Sequence, residues 1–420
     1  MSSQQRNIVI LGASVSGLQV AHYFLQHTLP ALKKKGTGVN YHVYLINPSS
    51  DYYFRVASPR TSASDDLLPA HKIILDLVKP FEKYSKSDFT FIQGSATGLD
   101  TSLRTVKYSR SKYLEEETLE YHALVVTTGS KTHASVYSMH TDTPSLLNDL
   151  KSMNNQVKTA KDIVLSGGGS TSIEAAGELG ELLNGSPGWF STPTRKVNIR
   201  LLTSSDRLLP TIRSDIGKIA EQKLKALGVE VVYKTAVTSA EPSKDGRTQI
   251  TLSNGQKQEV DLYIPAHGVT PNSSWLPKSL LDDRGYLKTN SQTTRVDAAG
   301  PRVYSIGDIA SFSRNNILDI QEALPVLMIN FTRDLLSYDP ASPNQKPKGS
   351  DRVFKPIEKD TTIIPIGSGG GVGAVFGWKL PSWAVWLIKS RDFMVGMSAA
   401  PLVSGDRVKK EFKWLPVEVV

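Results

Sequence analysis

The chain contains no cysteine, which rules out disulfides, thiolate metal sites and any redox-active dithiol. If electrons move through this protein, a bound cofactor has to carry them. Long apolar runs are also missing. The most apolar late stretch, WAVWLI (383–388), is far shorter than the ~20 residues that cross a bilayer. The opening MSSQQRNIVI has no charged segment followed by an apolar one, so no secretory signal is expected. Ser2 stands where a myristoylated chain needs glycine, and the expected location is cytoplasmic. The eight histidines are dispersed. No Ser-His-Asp arrangement or metal-ligand set has workable spacing, and no metal is expected. Acidic residues are the minority charge, 40 against 49 Lys and Arg, for a net charge of +9. The basic clusters Lys33–Lys35 and Arg407–Lys413 match no nucleic-acid module and read as solvated surface.

What is present is an α/β pattern. An apolar fraction of 39% over 420 residues is ample for packed cores, and the length suggests about three domains. Strand and helix signals alternate, as in parallel sheets covered by helices. Strands are predicted over 7–11, 41–46 and 122–128, with a helix over 16–34. The unit then restarts, with strands over 162–165 and 197–202 and a helix over 173–183. The two glycine-rich turns, at Gly12 and Gly167, lie about 155 residues apart. A strand with this turn and a helix behind it is the layout that cradles a dinucleotide pyrophosphate, and two copies suggest two nucleotide sites. A third segment, RVYSIGD (302–308), reads as a strand entering a Gly-Asp turn. DPASPNQKPKGS (339–350) reads as a linker to a smaller C-terminal unit. There, GSGGGVG (367–373) is expected to be a hairpin turn, because a strand rather than a helix follows it.

Each turn has a blemish. In GASVSG, Gly12 and Gly17 keep the first and third glycine roles while Ser14 replaces the second. Asn47 ends the next strand where an acid usually grips the ribose, and the spacing exceeds the usual ~20 residues because Pro30–Gly38 is expected to insert a loop. In GGGSTS, Gly167 and Gly169 keep their roles, Ser170 follows, and Ser172 replaces the third glycine. Glu174 and Glu178 share one helix face. Glu178 reads as a solvated face or dipole partner, while Glu174 is balanced between that reading and a cofactor role. Thr203, Ser204 and Arg207 after the strand lean towards NADPH, with Asp206 an ambiguous neighbour.

In order, GASVSG (12–17), VVTTGS (125–130), GGGSTSIE (167–174), AHGVTPN (266–272) and VYSIGDIA (303–310) resemble the two-dinucleotide-fold flavin oxidoreductases. More narrowly they are similar to the apoptosis-inducing-factor 2 / ferroptosis-suppressor branch, with IKSRDFMV (388–395) the most branch-specific piece. The resemblance implies two Rossmann-like domains, the second inserted in the first, plus a small α+β C-terminal domain. The implied boundaries are 1–155 with 290–340 for FAD, 156–289 for NAD(P)H, and 351–420. It implies FAD on Gly12, Ser14 and Gly17, with Gly307 and Asp308 at the ribityl–pyrophosphate region. NADH or NADPH falls on Gly167, Gly169 and Ser170, and Thr128 and Gly129 mark the crossing between domains. Arg60 falls near FAD, and Glu174 and Lys389 are the catalytic candidates. The departures are Asn47, where weaker FAD binding is expected, and Tyr53 and Phe54 in place of a histidine pair, where the acceptor side is expected to differ. The activity implied is hydride transfer from NAD(P)H and onward transfer to a quinone-like or other small organic acceptor. A flavin-dependent tailoring oxidase, and a degenerate flavoprotein touching membranes through PSWAVWLIK (381–389), are the rival readings.

Overall fold

The computed structural model describes residues 5–36, 39–110, 115–186, 195–243, 245–347 and 349–411. Ser2, Gly38 at the end of the expected loop, Lys348 in the expected linker, and residues 412–420 of the C-terminal unit, which include Lys413 of the second basic cluster, lie outside the described residues. Two parallel sheets organise the chain. In the first, the strands run Val303–Ser305, Ala123–Val126, Gln5–Leu11, Asn40–Asn47, Phe89–Gln93. In the second the order is Val229–Val232, Asn198–Leu202, Asp162–Ser166, Leu262–Pro265. Strand Val303–Ser305 thus returns to the first sheet after the second is complete. Both sheets are built from short β-branched and leucine runs buried on both faces, as parallel strands require. Alternation sorts them: Ile8, Ile10, Val43, Leu45 and Val125 enter one core, and Val9, Leu11, Ile46, Leu124 and Val126 another.

The helix opening at Val15 runs through a π-turned stretch, Phe24–Thr28, into Leu29–Lys34. The loop expected over 30–38 is therefore helical as far as Lys34. Proline lacks the N–H and crowds the carbonyl four residues back; the wider turn before Pro30 accommodates it. In the second unit the helix is Ser170–Asn184, with Gly169 extended at its N-cap, so it starts before the predicted Ile173.

In the C-terminal unit, Thr362–Pro365 pairs antiparallel with Gly371–Val375, and the chain between them turns. The turn is shorter than predicted, since Gly371 and Gly373 belong to the second strand. A helix, Ser382–Val385, continues into Trp386–Ser390. Among its described residues the expected linker has no helix or strand, but it is tied down at its end. Asn330 exchanges hydrogen bonds with the Arg352 backbone, and Asp351 binds Arg295.

His22 fastens the first helix to the C-terminal segment. Its ring meets the Val403 carbonyl at 2.9 Å and the Tyr84 hydroxyl at 2.8 Å, and stacks on Phe81. Burial holds the imidazole down to about 4 against an ordinary 6.5. His122, half-buried and facing Arg302, Arg6 and Arg104, is held down to about 2, mainly by desolvation. The unfolded chain binds these protons near 6.5, the folded chain only well below. Stability is therefore fully present above about pH 6.5 and falls as the pH drops towards 4. A thermal midpoint measured across that window is expected to decline, and more shallowly in His22→Gln.

Candidate functional site

The first glycine turn is closed by contacts that leave no room for side chains. Gly12 has φ +97°, and a Cβ there would lie 2.5 Å from the Thr127 carbonyl oxygen; one on Gly17 would overlap the Gly12 carbonyl. The Thr127 hydroxyl donates to the carbonyls of Leu11 (2.8 Å) and Gly12 (3.0 Å), a role the sequence reading assigned to no residue. Ser14 caps the helix in an extended conformation, and its side chain makes no capping bond. The first intrahelical bond runs from Leu18 N–H to the Ser14 carbonyl, so the preceding N–H groups point out of the helix end as anion donors. Asn47 is buried, its Oδ1 accepting from Ala13 N–H at 2.8 Å and its Nδ2 donating to the Ser49 carbonyl at 2.7 Å. Its amide therefore braces the turn. Asn47→Ala leaves both backbone groups without partners and is expected to cost about 1–3 kcal/mol, read as a lowered midpoint with reduced flavin content.

Beside that helix end stand residues from distant segments. Gly307 packs on Ser16, and Asp308 accepts from the Ser130 hydroxyl at 3.0 Å. Arg55 lies 3.8 Å from Asp308 and donates to the Ser130 carbonyl. Arg55 was not legible beforehand, because nothing in YYFRVA distinguishes it from a surface arginine. Outward helix N–H groups and the Arg55 cation as donors, with the Asp308 carboxylate as acceptor, make a set that fits a flavin pyrophosphate and its ribityl hydroxyls. Thr128 and Gly129 enter the crossing between the sheets: Thr128 exchanges bonds with Asn272, and Asn272 N–H donates to the Gly129 carbonyl. Tyr53 and Phe54 are buried, with the Tyr53 hydroxyl donating to the Val136 carbonyl.

The second turn opens into a cavity of about 380 Å³, lined by the Gly167–Gly169 turn, Ser170, Thr203 and Thr362 among others. That lies within the size range of small-molecule sites. Gly167, at φ +132°, has no space for a side chain against Ala266, while Gly169 faces open space. The helix beginning at Ser170 directs its N-terminal donors at this cavity, a fit for a nicotinamide dinucleotide. Thr203 lines it, whereas the Arg207 guanidinium donates to the Pro210 carbonyl and is not among the lining residues.

Behind the cavity, the helix Ser170–Asn184 presents two buried carboxylates. Lys389 Nζ lies 2.6 Å from Glu174 Oε1 and donates to the Ile363 carbonyl at 3.2 Å. Arg60 binds Glu178 through two bonds of 2.8 and 2.9 Å, donates to the Arg391 carbonyl and stacks on Phe393. Glu178 is only 2% exposed, so the expected solvated face is wrong: the same i, i+4 face packs against another helix, Ser58–Ala63, and the C-terminal unit. Burial raises both carboxyl groups, and Lys389 and Arg60 oppose the rise. Arg60 thus joins three parts of the chain.

Two parallel-sheet units, each with a dinucleotide turn, define a flavin- and nicotinamide-dependent oxidoreductase. The chain belongs to the pyridine nucleotide-disulphide oxidoreductase family, whose profile matches residues 6–325, and it works with FAD and NAD(P)H. Without cysteine, it has no disulphide of its own. It is 38% identical to "Oxidoreductase phnG" of Penicillium herquei over 93% of this chain and 94% of that one. It is 27% identical to "Oxidoreductase ptaL" of Pestalotiopsis fici, over 93% and 96%. Human "Ferroptosis suppressor protein 1" is 23% identical over 93% and 94%, in line with the resemblance read from the motifs. Among solved structures, NDH2 from Plasmodium falciparum with NADH aligns with a TM-score of 0.65 at 14% identity, covering 94% of this chain and 99% of that one.

Proposed function

We propose that this protein takes reducing equivalents from NAD(P)H and delivers them to a quinone-like or other small organic acceptor. The observation that carries the reading is the Glu174–Lys389 pair set directly behind the cavity of the second turn. Lys389 also holds the Ile363 carbonyl, and Thr362 and Ile364 on either side of it line that cavity. When bound, FAD would supply the redox chemistry, hydride acceptance from nicotinamide and onward electron transfer. The chain's own residues bind and orient. The two helix ends and Arg55 would take phosphate charge, and Asp308 and Ser130 would meet ribityl hydroxyls. Glu174, kept in place by Lys389, positions the nicotinamide, and Lys389 supplies positive charge at the reaction centre. Under anaerobic conditions NADH or NADPH is expected to bleach the flavin, and a soluble naphthoquinone to restore its colour. Failure of both nucleotides to bleach would sink the reading. Bleaching followed by re-oxidation only with oxygen and a metabolite would favour a tailoring oxidase.

A membrane contact is favoured by one surface. Trp378 is 81% exposed and Trp383 68%, and Trp386 and Leu387 share the Trp383 face at helical spacing. Lys379 flanks them. Such a surface suits the interface of an anionic bilayer, where lipophilic acceptors dissolve. Among the described residues no helix is long and apolar enough to cross a membrane. Co-sedimentation with liposomes containing anionic lipid is expected, weakened about tenfold in Trp378→Ser/Trp383→Ser; equal recovery with and without liposomes rejects it.

A further inference from the structure

The cavity at the second turn has a chemical bias beyond its shape. A nucleotide lacking the 2′-phosphate is ordinarily gripped by a carboxylate at the end of the second strand, whereas a 2′-phosphorylated one needs hydroxyls and a cation there. The strand Asn198–Leu202 ends here in Thr203, Ser204 and Ser205, all three lining the cavity, and none of the lining residues carries a carboxylate. Asp206, one residue further, is exposed and outside the lining.

The turn after the next strand, Val229–Val232, fastens its backbone to these serines and carries a lysine. Lys234 N–H donates to the Ser205 carbonyl at 3.0 Å, and Thr235 N–H to the Thr203 carbonyl at 2.9 Å. Thr235 itself lines the cavity. Lys234 adopts φ +52°, a left-handed conformation uncommon for a lysine. Its exposed side chain is ion-paired to no described acid. Arg207, on the other side of the serines, makes a single carbonyl bond and likewise has no acid partner among the described residues. Three hydroxyls with no carboxylate among the lining residues, and two cations in the segments flanking them, suit a dianion and lack the carboxylate that ordinarily grips a bare ribose diol.

We propose that this cavity selects NADPH over NADH, with Thr203, Ser204 and Ser205 donating to the 2′-phosphate and Lys234 and Arg207 supplying its counter-charge. The inference rests on the second turn holding a nicotinamide nucleotide. Calorimetric titration of the purified holoprotein with 2′,5′-ADP and with 5′-AMP isolates the 2′-phosphate. The former is expected to bind about tenfold or more tightly, and to lose that advantage as salt is raised. NADPH should likewise exceed NADH in kcat/KM for flavin reduction. Lys234→Gly removes the cation at a backbone conformation glycine prefers, so the fold is retained. It is expected to lower both selectivity ratios about tenfold, with Arg207→Gln acting in the same direction. Equal binding of the two adenosine phosphates, or selectivity untouched in Lys234→Gly, overturns the assignment. If NADH reduces the flavin as well as NADPH, only this inference fails. If neither does, the oxidoreductase reading itself fails.

Discussion

Replacing Arg60 by alanine is expected to destabilise the protein by about 3–5 kcal/mol, the usual cost of stranding one partner of a buried ion pair. Glu178 would remain 2% exposed with its two charge-assisted bonds gone, and burial already raises its carboxyl group. The Arg391 carbonyl and the Phe393 ring would lose their contacts as well, so the C-terminal unit should loosen. Urea unfolding gives the loss, and limited proteolysis between residues 376 and 411 should accelerate. The double variant Arg60→Met/Glu178→Leu replaces the pair with apolar groups of similar length, and is expected to recover most of the stability. A double variant as unstable as the single one would show that packing rather than stranded charge sets the cost.

Lys389→Met is expected to slow anaerobic flavin reduction about 10²-fold, comparable to removing one preorganised charged donor from a catalytic site. Lys389 is what opposes the burial of Glu174. Without it the carboxyl group protonates nearer neutral pH, and the Ile363 carbonyl loses its donor. Glu174→Gln should slow reduction by a similar factor. The double variant should be little worse than either single one, because residues acting as a unit are strongly non-additive. Stopped-flow absorbance at the flavin band, with NADPH held saturating, separates this from weakened nucleotide binding. Fully additive losses would mean that the two side chains act separately.

The strands, both glycine turns and the Gly-Asp segment were legible because each is local. Buried β-branched runs such as NIVIL and DIVLS, ending in glycine ahead of a helical period, leave few alternatives. Prediction failed where a partner lies far away in sequence. Glu178 gives no local sign of burial, since its neutralising group is Arg60, on a helix of the other unit. Arg55 looks like any arginine until Asp308 is folded against it. The bridge that the buried Asn47 amide makes between Ala13 and Ser49 is likewise visible only in the packed turn. Pro30 signals a loop locally, but the π-turn before it keeps the chain helical.

The sequence by itself determined the number and order of nucleotide units, and the absence of cysteine made any redox chemistry depend on a bound cofactor. Those properties rest on backbone geometry and composition, which short segments carry within themselves. The tertiary structure alone decided which charges meet. Glu174 with Lys389, Glu178 with Arg60, and Asp308 with Arg55 are pairings across elements. Such pairings depend on how helices and strands dock, and charge placed in a buried site has consequences no local pattern can encode.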